Sequence, residues 1–342
     1  MEGAYQDHRN RAAMMTAQRP RMVIDFHTHF TLPDVLAQTM GASLYGRMQE
    51  AMGLGAQVVA PAHMQRMTDL SVRLADMDKM RLDMQVLSPS ILQQCTYPLE
   101  PELALKLDQR SNEHVADLVR RYPDRFIGIG SLPLQAMDIA LRELERLMSD
   151  LKLKGVVIGS NVNGIELGDE RLRPFWRKAE ELGAVVFIHP AGNDDPKMMR
   201  HKLMISVGQP LEETFALSSL VYDGVMDECP RLKIVVAHGG GYIPFYAGRH
   251  DHMYRTGLAG KDLKGDFSSY LNSFYYDSVL FNPDMLETLG HKVDPSRIIL
   301  ATDYPFGEWK PLEFVERSTR LPREVRDAIV GENAARLFDL SI

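Results

Sequence analysis

Short apolar runs alternate with longer amphipathic segments along most of this sequence. Eight of the runs are rich in β-branched and aromatic residues and have the length of buried strands. They cover residues 22–26, 84–88, 126–131, 155–160, 184–189, 233–238, 274–278 and 297–303. Segments with helical periodicity lie between most of them, including 101–121, 136–150, 171–182, 212–222 and 322–330. The pattern therefore predicts strands and helices in regular alternation.

This alternation indicates an α/β protein whose strands pair in parallel through right-handed crossovers. A closed (β/α)8 TIM barrel fits both the eight strands and the chain length of 342 residues. The alternative is an open doubly wound sheet, which normally carries a glycine-rich turn after its first strand. Because no such turn follows Phe26, we predict the barrel.

Two connections are too long to be simple turns. Residues 32–67, rich in methionine, are predicted to form a small insertion after the first strand, either a partly helical lid or an irregular core. Residues 191–211 are predicted to overhang the site. Residues 1–20 lack the apolar core of a signal peptide and are predicted to be a flexible arm. Residues 21–342 are predicted to form one barrel domain.

Composition limits the classes of partner that this protein is expected to bind. A net charge of −7 argues against nucleic acid or an anionic membrane surface, because both select a basic face. No apolar run approaches the ~20 residues of a membrane span. The two cysteines, Cys95 and Cys229, lack the spacing of a metal site and suit a reducing compartment. We therefore predict a cytoplasmic enzyme that acts on a small molecule.

Polar residues at the ends of the predicted strands carry the candidate chemistry. His27 and His29 end the first strand and point the same way, because residues i and i+2 share a face in an extended chain. His189, His238 and Asp303 end strands five, six and eight. The C-terminal ends of barrel strands are where active sites form. One such residue alone is usually structural, but five on one face predict a functional site.

Imidazole and carboxylate groups are the ligands that Zn²⁺, Mn²⁺ and Fe²⁺ accept in proteins. A bound divalent ion would lower the pKa of its water toward ~7 or polarise a substrate oxygen. His238 is better suited to acid–base catalysis than to ligation, since the ordinary histidine pKa lies near physiological pH. The glycines at 239–241 would allow a close approach of backbone or substrate, or a tight turn from strand to helix.

Several segments together resemble the decarboxylase-type branch of the amidohydrolase superfamily. They include IDFHTHFTLP, FIHP, IVVAHGGGYIPFYAGRHD, RIILATDYPFG and GENAARLFDL, and the likeness extends over nearly the whole chain from residue 22. The resemblance implies one divalent ion, Zn²⁺ in preference to Mn²⁺. The ligands that it implies are His27, His29, His189 and Asp303. It also implies His238 as the catalytic acid or base, and Asp303 is counted with it among the catalytic residues.

The resemblance also implies how the substrate binds. Arg249 stands where a relative binds a substrate carboxylate across a dimer interface, so a homodimer or homotetramer is expected. The alternative is a surface ion pair with Asp251 or another acid. The family pattern has a second such arginine in the early insertion, where this chain has Pro61. His63 or Arg66 could take its place.

The predicted activity is non-oxidative decarboxylation of a small aromatic or unsaturated carboxylic acid of the hydroxybenzoate or muconate type. The alternative is a metal-dependent hydrolase or hydratase, and a third possibility is a barrel that has lost its chemistry. Phe306 is predicted to bind substrate. Together with Phe30, Phe245 and Tyr246 it would offer apolar surroundings that favour loss of a desolvated carboxylate, although such side chains are often core.

Overall fold

The structure of this protein is a computed structural model that describes residues 22–41, 60–90, 96–191, 195–199, 201, 203–260 and 262–341. The predicted N-terminal arm lies outside the described residues, and so do residues 42–59 of the predicted insertion and Cys95. Cys229 is buried and free.

All eight predicted strands are present. Their bounds are β1 Ile24–Phe30, β2 Met84–Pro89, β3 Phe126–Gly128, β4 Gly155–Ile158, β5 Val185–Ile188, β6 Lys233–Val236, β7 Phe274–Asp277 and β8 Ile298–Ile299. The last strand is shorter than the predicted 297–303 because side chains replace its ladder partners. The backbone N–H of Ala301 donates to Oγ of Ser278 at 2.9 Å, and that of Thr302 donates to Oδ1 of Asp25 at 2.9 Å.

Parallel pairing joins the strands into a closed barrel. β1, β2 and β3 form one parallel run, and β4 to β8 form a second in the order of the chain. A parallel bridge between Gly130 and Val156 joins β3 to β4, and one between Thr28 and Tyr304 joins β1 to the chain after β8. The backbone N–H of Phe26 also donates to the carbonyl oxygen of Leu300 at 2.9 Å. The predicted (β/α)8 barrel is confirmed, and the open sheet is excluded.

Helices surround the barrel. Their bounds are α1 Pro33–Thr39, α2 Pro61–Thr68, α3 Leu70–Met80, α4 Pro101–Arg121, α5 Met137–Ser149, α6 Arg173–Leu182, α7 Pro196–Met199, α8 Gln209–Tyr222, α9 Val225–Glu228, α10 Ile243–Arg255, α11 Pro283–Lys292, α12 Pro311–Glu316, α13 Arg323–Asp327 and α14 Asn333–Leu337. The predicted helix 322–330 continues through a π-helical turn at Ala328–Glu332 into α14. No helix in the described ranges is both long and apolar enough to cross a membrane.

The apolar core forms two layers. The barrel interior is filled from alternate strand positions such as Val157, Phe187 and Val235, which share one cluster. The intervening residues, such as Val156 and Val236, pack outward against the helices in a larger cluster. This alternation is the period of two expected of strands that are buried on both faces. It leaves the C-terminal strand ends to carry the polar residues.

Candidate metal centre

An irregularity in β1 aims its two histidines into the barrel. The pairing of β1 with β2 shifts register between Asp25 and Thr28. As a result, consecutive residues face inward: the rings of Phe26 and His27 lie 5.1 and 4.9 Å from the ring of Phe187. Such bulges commonly redirect side chains near functional sites. His29, two residues after His27, then shares its face.

The four predicted metal ligands converge on one point. Nε2 of His29 lies 3.1 Å from Nε2 of His27 and 3.0 Å from Oδ1 of Asp303. With His189 included, one donor atom from each of the four residues lies within 4.8 Å of every other. Ligands bound at about 2.1 Å from one ion lie about 3.0–3.4 Å apart when adjacent, so these separations fit a divalent ion. We call these four residues the candidate metal group.

A buried carboxylate fixes the tautomer of His27. Nδ1 of His27 donates to Oδ2 of Asp277 at 2.6 Å, which leaves the lone pair of Nε2 to face the candidate metal group. The other oxygen of Asp277 accepts from the backbone N–H groups of Gly239 and Val279, both at 3.1 Å. Asp277 was not among the residues predicted from the sequence. It ends β7, so the rule that identified the other strand-end residues could have found it.

Burial and neighbouring charges shift the pKa values of His29, His189 and Asp303, three members of the candidate metal group, toward the forms that bind a metal. Burial lowers the pKa of His29, and burial together with the neighbouring histidines lowers that of His189 well below its usual range. Burial acts to raise the pKa of Asp303, but the adjacent His27 and a hydrogen bond from His29 lower it overall. Neutral imidazoles beside an ionised carboxylate are the forms that bind a divalent ion.

His238 lies beside this group and has a different partner. Its ring lies 5.4 Å from that of His27 and 5.5 Å from that of His189. Its Nδ1 is 2.5 Å from Oε1 of Glu213, a buried residue of α8. Burial lowers the pKa of His238, but the charge and hydrogen bond of Glu213 outweigh burial and raise that pKa to about 10. Glu213 was not predicted from the sequence, because no local pattern links a helix residue to a histidine at the end of a strand.

The three glycines after His238 form a tight turn against α8. All have positive φ, between +62° and +79°. A Cβ on Gly241 would lie 2.3 Å from the carbonyl oxygen of Pro210, so only glycine allows this contact. His238 and Asp303 also have positive φ, 50° and 56°. For non-glycine residues such backbone costs of order 1–3 kcal/mol each, a strain that often accompanies function.

Phe306, the predicted substrate-binding residue, lies next to the candidate metal group. Its ring is 5.8 Å from that of His29 and 5.2 Å from that of His63 on α2, and 39% of the residue is exposed. Arg66, the other candidate in the insertion, instead pairs with Asp76 at 2.9 Å. The described part of the predicted insertion therefore contacts Phe306 through His63.

The other predicted aromatic residues have different surroundings. Phe30 is buried and belongs to the outer core, where its ring lies 5.8 Å from that of His114. Phe245 packs partly buried against the same core. Tyr246 is exposed. Phe30 therefore lies in the core and Phe245 packs against it, which is the alternative to a place beside the substrate.

Arg249 is a surface residue of the single chain. It is exposed on α10, and within the described ranges no hydrogen bond or ion pair involves it. The ion pair with Asp251 considered above does not form, because Asp251 is buried and accepts the backbone N–H of Ser268 at 2.8 Å. The guanidinium is therefore free to meet a group outside this chain.

Comparison with known proteins identifies the family. The amidohydrolase family profile matches residues 24–340. The 2-amino-3-carboxymuconate-6-semialdehyde decarboxylase of Dictyostelium discoideum is 36% identical over 279 residues, 80% of this chain and 77% of its own. Two crystal structures share the fold. The 5-carboxyvanillate decarboxylase of Sphingomonas paucimobilis has a TM-score of 0.84 and 27% identity, covering 94% of this chain and 99% of its own.

The second structure is the 5-carboxyvanillate decarboxylase of Novosphingobium aromaticivorans with manganese and 4-hydroxy-3-methoxy-5-nitrobenzoic acid. Its TM-score is 0.83 at 25% identity, over 93% of this chain and 96% of its own. This chain belongs to the amidohydrolase family. Because these relatives are decarboxylases, the predicted class of enzyme, a carboxy-lyase of the amidohydrolase superfamily, is confirmed.

Proposed function

We propose that this protein is a metal-dependent, non-oxidative decarboxylase of a small aromatic or unsaturated carboxylic acid, of the hydroxybenzoate or muconate type. One observation carries the proposal: the candidate metal group and His238 meet at the C-terminal ends of the barrel strands. This arrangement sets a cation site for a carboxylate beside a group that can transfer a proton. The decarboxylases to which the chain is similar support the reaction class.

We assign one divalent ion to His27, His29, His189 and Asp303. Three imidazoles and one carboxylate suit Zn²⁺, the ion preferred in the sequence analysis, and also Mn²⁺. The manganese in one structural neighbour supports Mn²⁺ as an equal candidate. When bound, the ion would supply positive charge that orients the acid and polarises its oxygen substituents.

The residues of the chain would then complete the reaction. His238 delivers a proton from Nε2 to the carbon that bears the carboxylate. The bond to the carboxyl carbon breaks, its electron pair restores the conjugated system, and CO₂ leaves. Phe306 is apolar and lies next to His29. It would keep water from the substrate carboxylate and so favour its departure as neutral CO₂.

We assign Arg249 to the substrate carboxylate of a neighbouring subunit, in a homodimer or homotetramer. A guanidinium matches a carboxylate with two parallel hydrogen bonds. Its exposure and its lack of a partner among the described residues fit a role across an interface.

The test is turnover in D₂O by enzyme reconstituted with Mn²⁺ or Zn²⁺. The acids offered are 5-carboxyvanillate, 2,6-dihydroxybenzoate and 2-amino-3-carboxymuconate-6-semialdehyde, and metal-free enzyme is the control. We expect CO₂ and one solvent deuterium on the carbon that lost it. A product that keeps every carbon and has gained oxygen from labelled water would instead establish a hydratase or hydrolase.

A further inference from the structure

Glu213 is a buried carboxylate that the proposed chemistry has not yet used. It lies near the start of α8 and is inaccessible to solvent. One oxygen accepts from His238, and within the described part of the chain the other oxygen is buried without a hydrogen-bond partner. A carboxylate held in this way lowers the free energy of unfolding, because one hydrogen bond only partly offsets the cost of removing the group from water. A catalytic role is one of the explanations for such a group.

The hydrogen bond to Glu213 decides which nitrogen of His238 faces the site. Since Nδ1 donates to the carboxylate, Nε2 is the nitrogen left toward the rings of His27 and His189. Among the described residues, the side chain of His238 has no second hydrogen bond. Loss of this one contact would free the ring to flip and to exchange its tautomer.

The backbone around the pair is built to hold it. The carbonyl oxygen of Pro210 in α8 packs against Gly241, and Oγ1 of Thr214 accepts the backbone N–H of Tyr242 at 3.0 Å. These contacts lie on either side of Glu213 along α8 and fix the helix to the glycine turn. The carboxylate and the imidazole are therefore held by two backbone segments that cannot shift independently.

We propose that Glu213 is a positioning residue, which holds the ring of His238 with Nε2 toward the candidate metal group. Its part in turnover rests on the proposed function, in which His238 delivers the proton. The ring leaves each cycle with its Nδ1–H still on the carboxylate, so Glu213 keeps one tautomer rather than exchanging a proton with substrate.

The experiment compares Glu213→Ala and Glu213→Gln with the matched control Glu212→Gln. Glu212 is the preceding residue of the same helix, is also buried, and binds Ser160 and Asn161 at 2.9 and 3.0 Å. Three quantities are measured on each: bound metal, kcat and KM, and the low-field proton resonance of Nδ1–H in the diamagnetic Zn²⁺ form, assigned by its absence in His238→Ala.

For Glu213→Ala we expect full metal content, no low-field resonance, and kcat lower by about 10²-fold with KM within about 3-fold, because a misplaced group costs about that much in rate. For Glu213→Gln we expect a kcat between those of the wild type and Glu213→Ala, since its amide oxygen can still accept from Nδ1 of His238. Glu212→Gln should keep the resonance and the kcat of the wild type.

The proposal is overturned if the resonance persists in Glu213→Ala, if Glu213→Ala loses the metal, or if Glu212→Gln lowers kcat equally. If wild-type enzyme decarboxylates none of the acids, the proposed function fails by itself. The resonance then decides whether Glu213 orients His238: its loss in Glu213→Ala supports the positioning role, and its persistence overturns it.

Discussion

At the scale of single residues, the site depends on carboxylates that bind histidines rather than substrate. Asp277 holds Nδ1 of His27, and Glu213 holds Nδ1 of His238, so each acid selects which nitrogen its histidine presents. Both acids are inaccessible to solvent. A hydrogen bond in such surroundings is strong, and an unpaired partner is costly. The two histidines can therefore have different roles although their rings lie 5.4 Å apart.

The first prediction concerns Asp277. Asp277→Asn should weaken binding of the divalent ion by about 10–100-fold, because a neutral amide accepts from Nδ1 of His27 more weakly than a carboxylate and no longer raises the basicity of Nε2. Metal affinity is measured by competition with a chelator of known affinity. Asp284→Asn, an acid at the exposed start of α11, is the control and should bind like the wild type. Equal affinity in both variants would show that Asp277 has no part in the site.

The second prediction separates the ligand role from the proton-transfer role. His238→Ala should retain one ion per chain and lose about 10²–10⁴-fold in kcat, because it removes the proton donor and no ligand. His189→Ala should lose the ion and the activity together. Elemental analysis with steady-state rates checks both. Loss of metal from His238→Ala would make that residue a ligand, and full metal in His189→Ala would remove it from the proposed set.

At the scale of elements, the sequence predicted the strands and the residues at their ends. Both follow from local chemistry, since apolar runs mark buried strands and polar residues mark where the runs stop. Asp277 carried this same signal at the end of β7 and was not among the predicted residues. No sequence pattern marked Glu213 as a site residue. Its contact with His238 spans 25 positions and exists only because α8 packs against the glycine turn.

The third prediction concerns a buried acid that joins α4 to the barrel. The two oxygens of Asp108 accept from the hydroxyls of Ser131 and Thr96, both at 2.9 Å. Burial raises the pKa of Asp108 well above its usual range, and the nearby Glu143 adds to this. Between the unfolded and the folded pKa, the native state binds more protons than the unfolded state. This carboxyl therefore lowers the free energy of unfolding as pH rises through that window.

In Asp108→Asn the free energy of unfolding should fall less as pH rises. The variant should be at least as stable as the wild type at pH 8. The two hydroxyls can reorient to bind the neutral amide. The maximum slope from one group is about 1.4 kcal/mol per pH unit. Urea unfolding from pH 4.5 to 8 measures the difference, with exposed Asp117→Asn as the control. A deficit in Asp108→Asn that grows toward pH 8 would contradict the prediction.

At the scale of the whole molecule, the proposed role of Arg249 requires a second subunit. The candidate metal group and His238 lie together within the barrel, whereas Arg249 lies on the surface of α10. Among the described residues of one chain, no guanidinium bonds to the side chains of the candidate metal group. Arg73, which is buried near it, is already engaged with Gln85 at 3.0 Å and with the carbonyl oxygen of His29. In the proposed assembly, a carboxylate substrate gains its second anchor from a neighbouring subunit.

The last prediction tests that assembly. Arg249→Ala and His238→Ala should each be inactive alone, the first without the carboxylate anchor and the second without the proton donor. If Arg249 acts across a twofold interface, a mixed dimer has one site with both residues intact and one with neither. Random exchange makes about half of the dimers mixed, so activity should recover to about a quarter of the wild-type value. Native mass spectrometry verifies the exchange, and a mixture that exchanges subunits but stays inactive would place Arg249 outside any shared site.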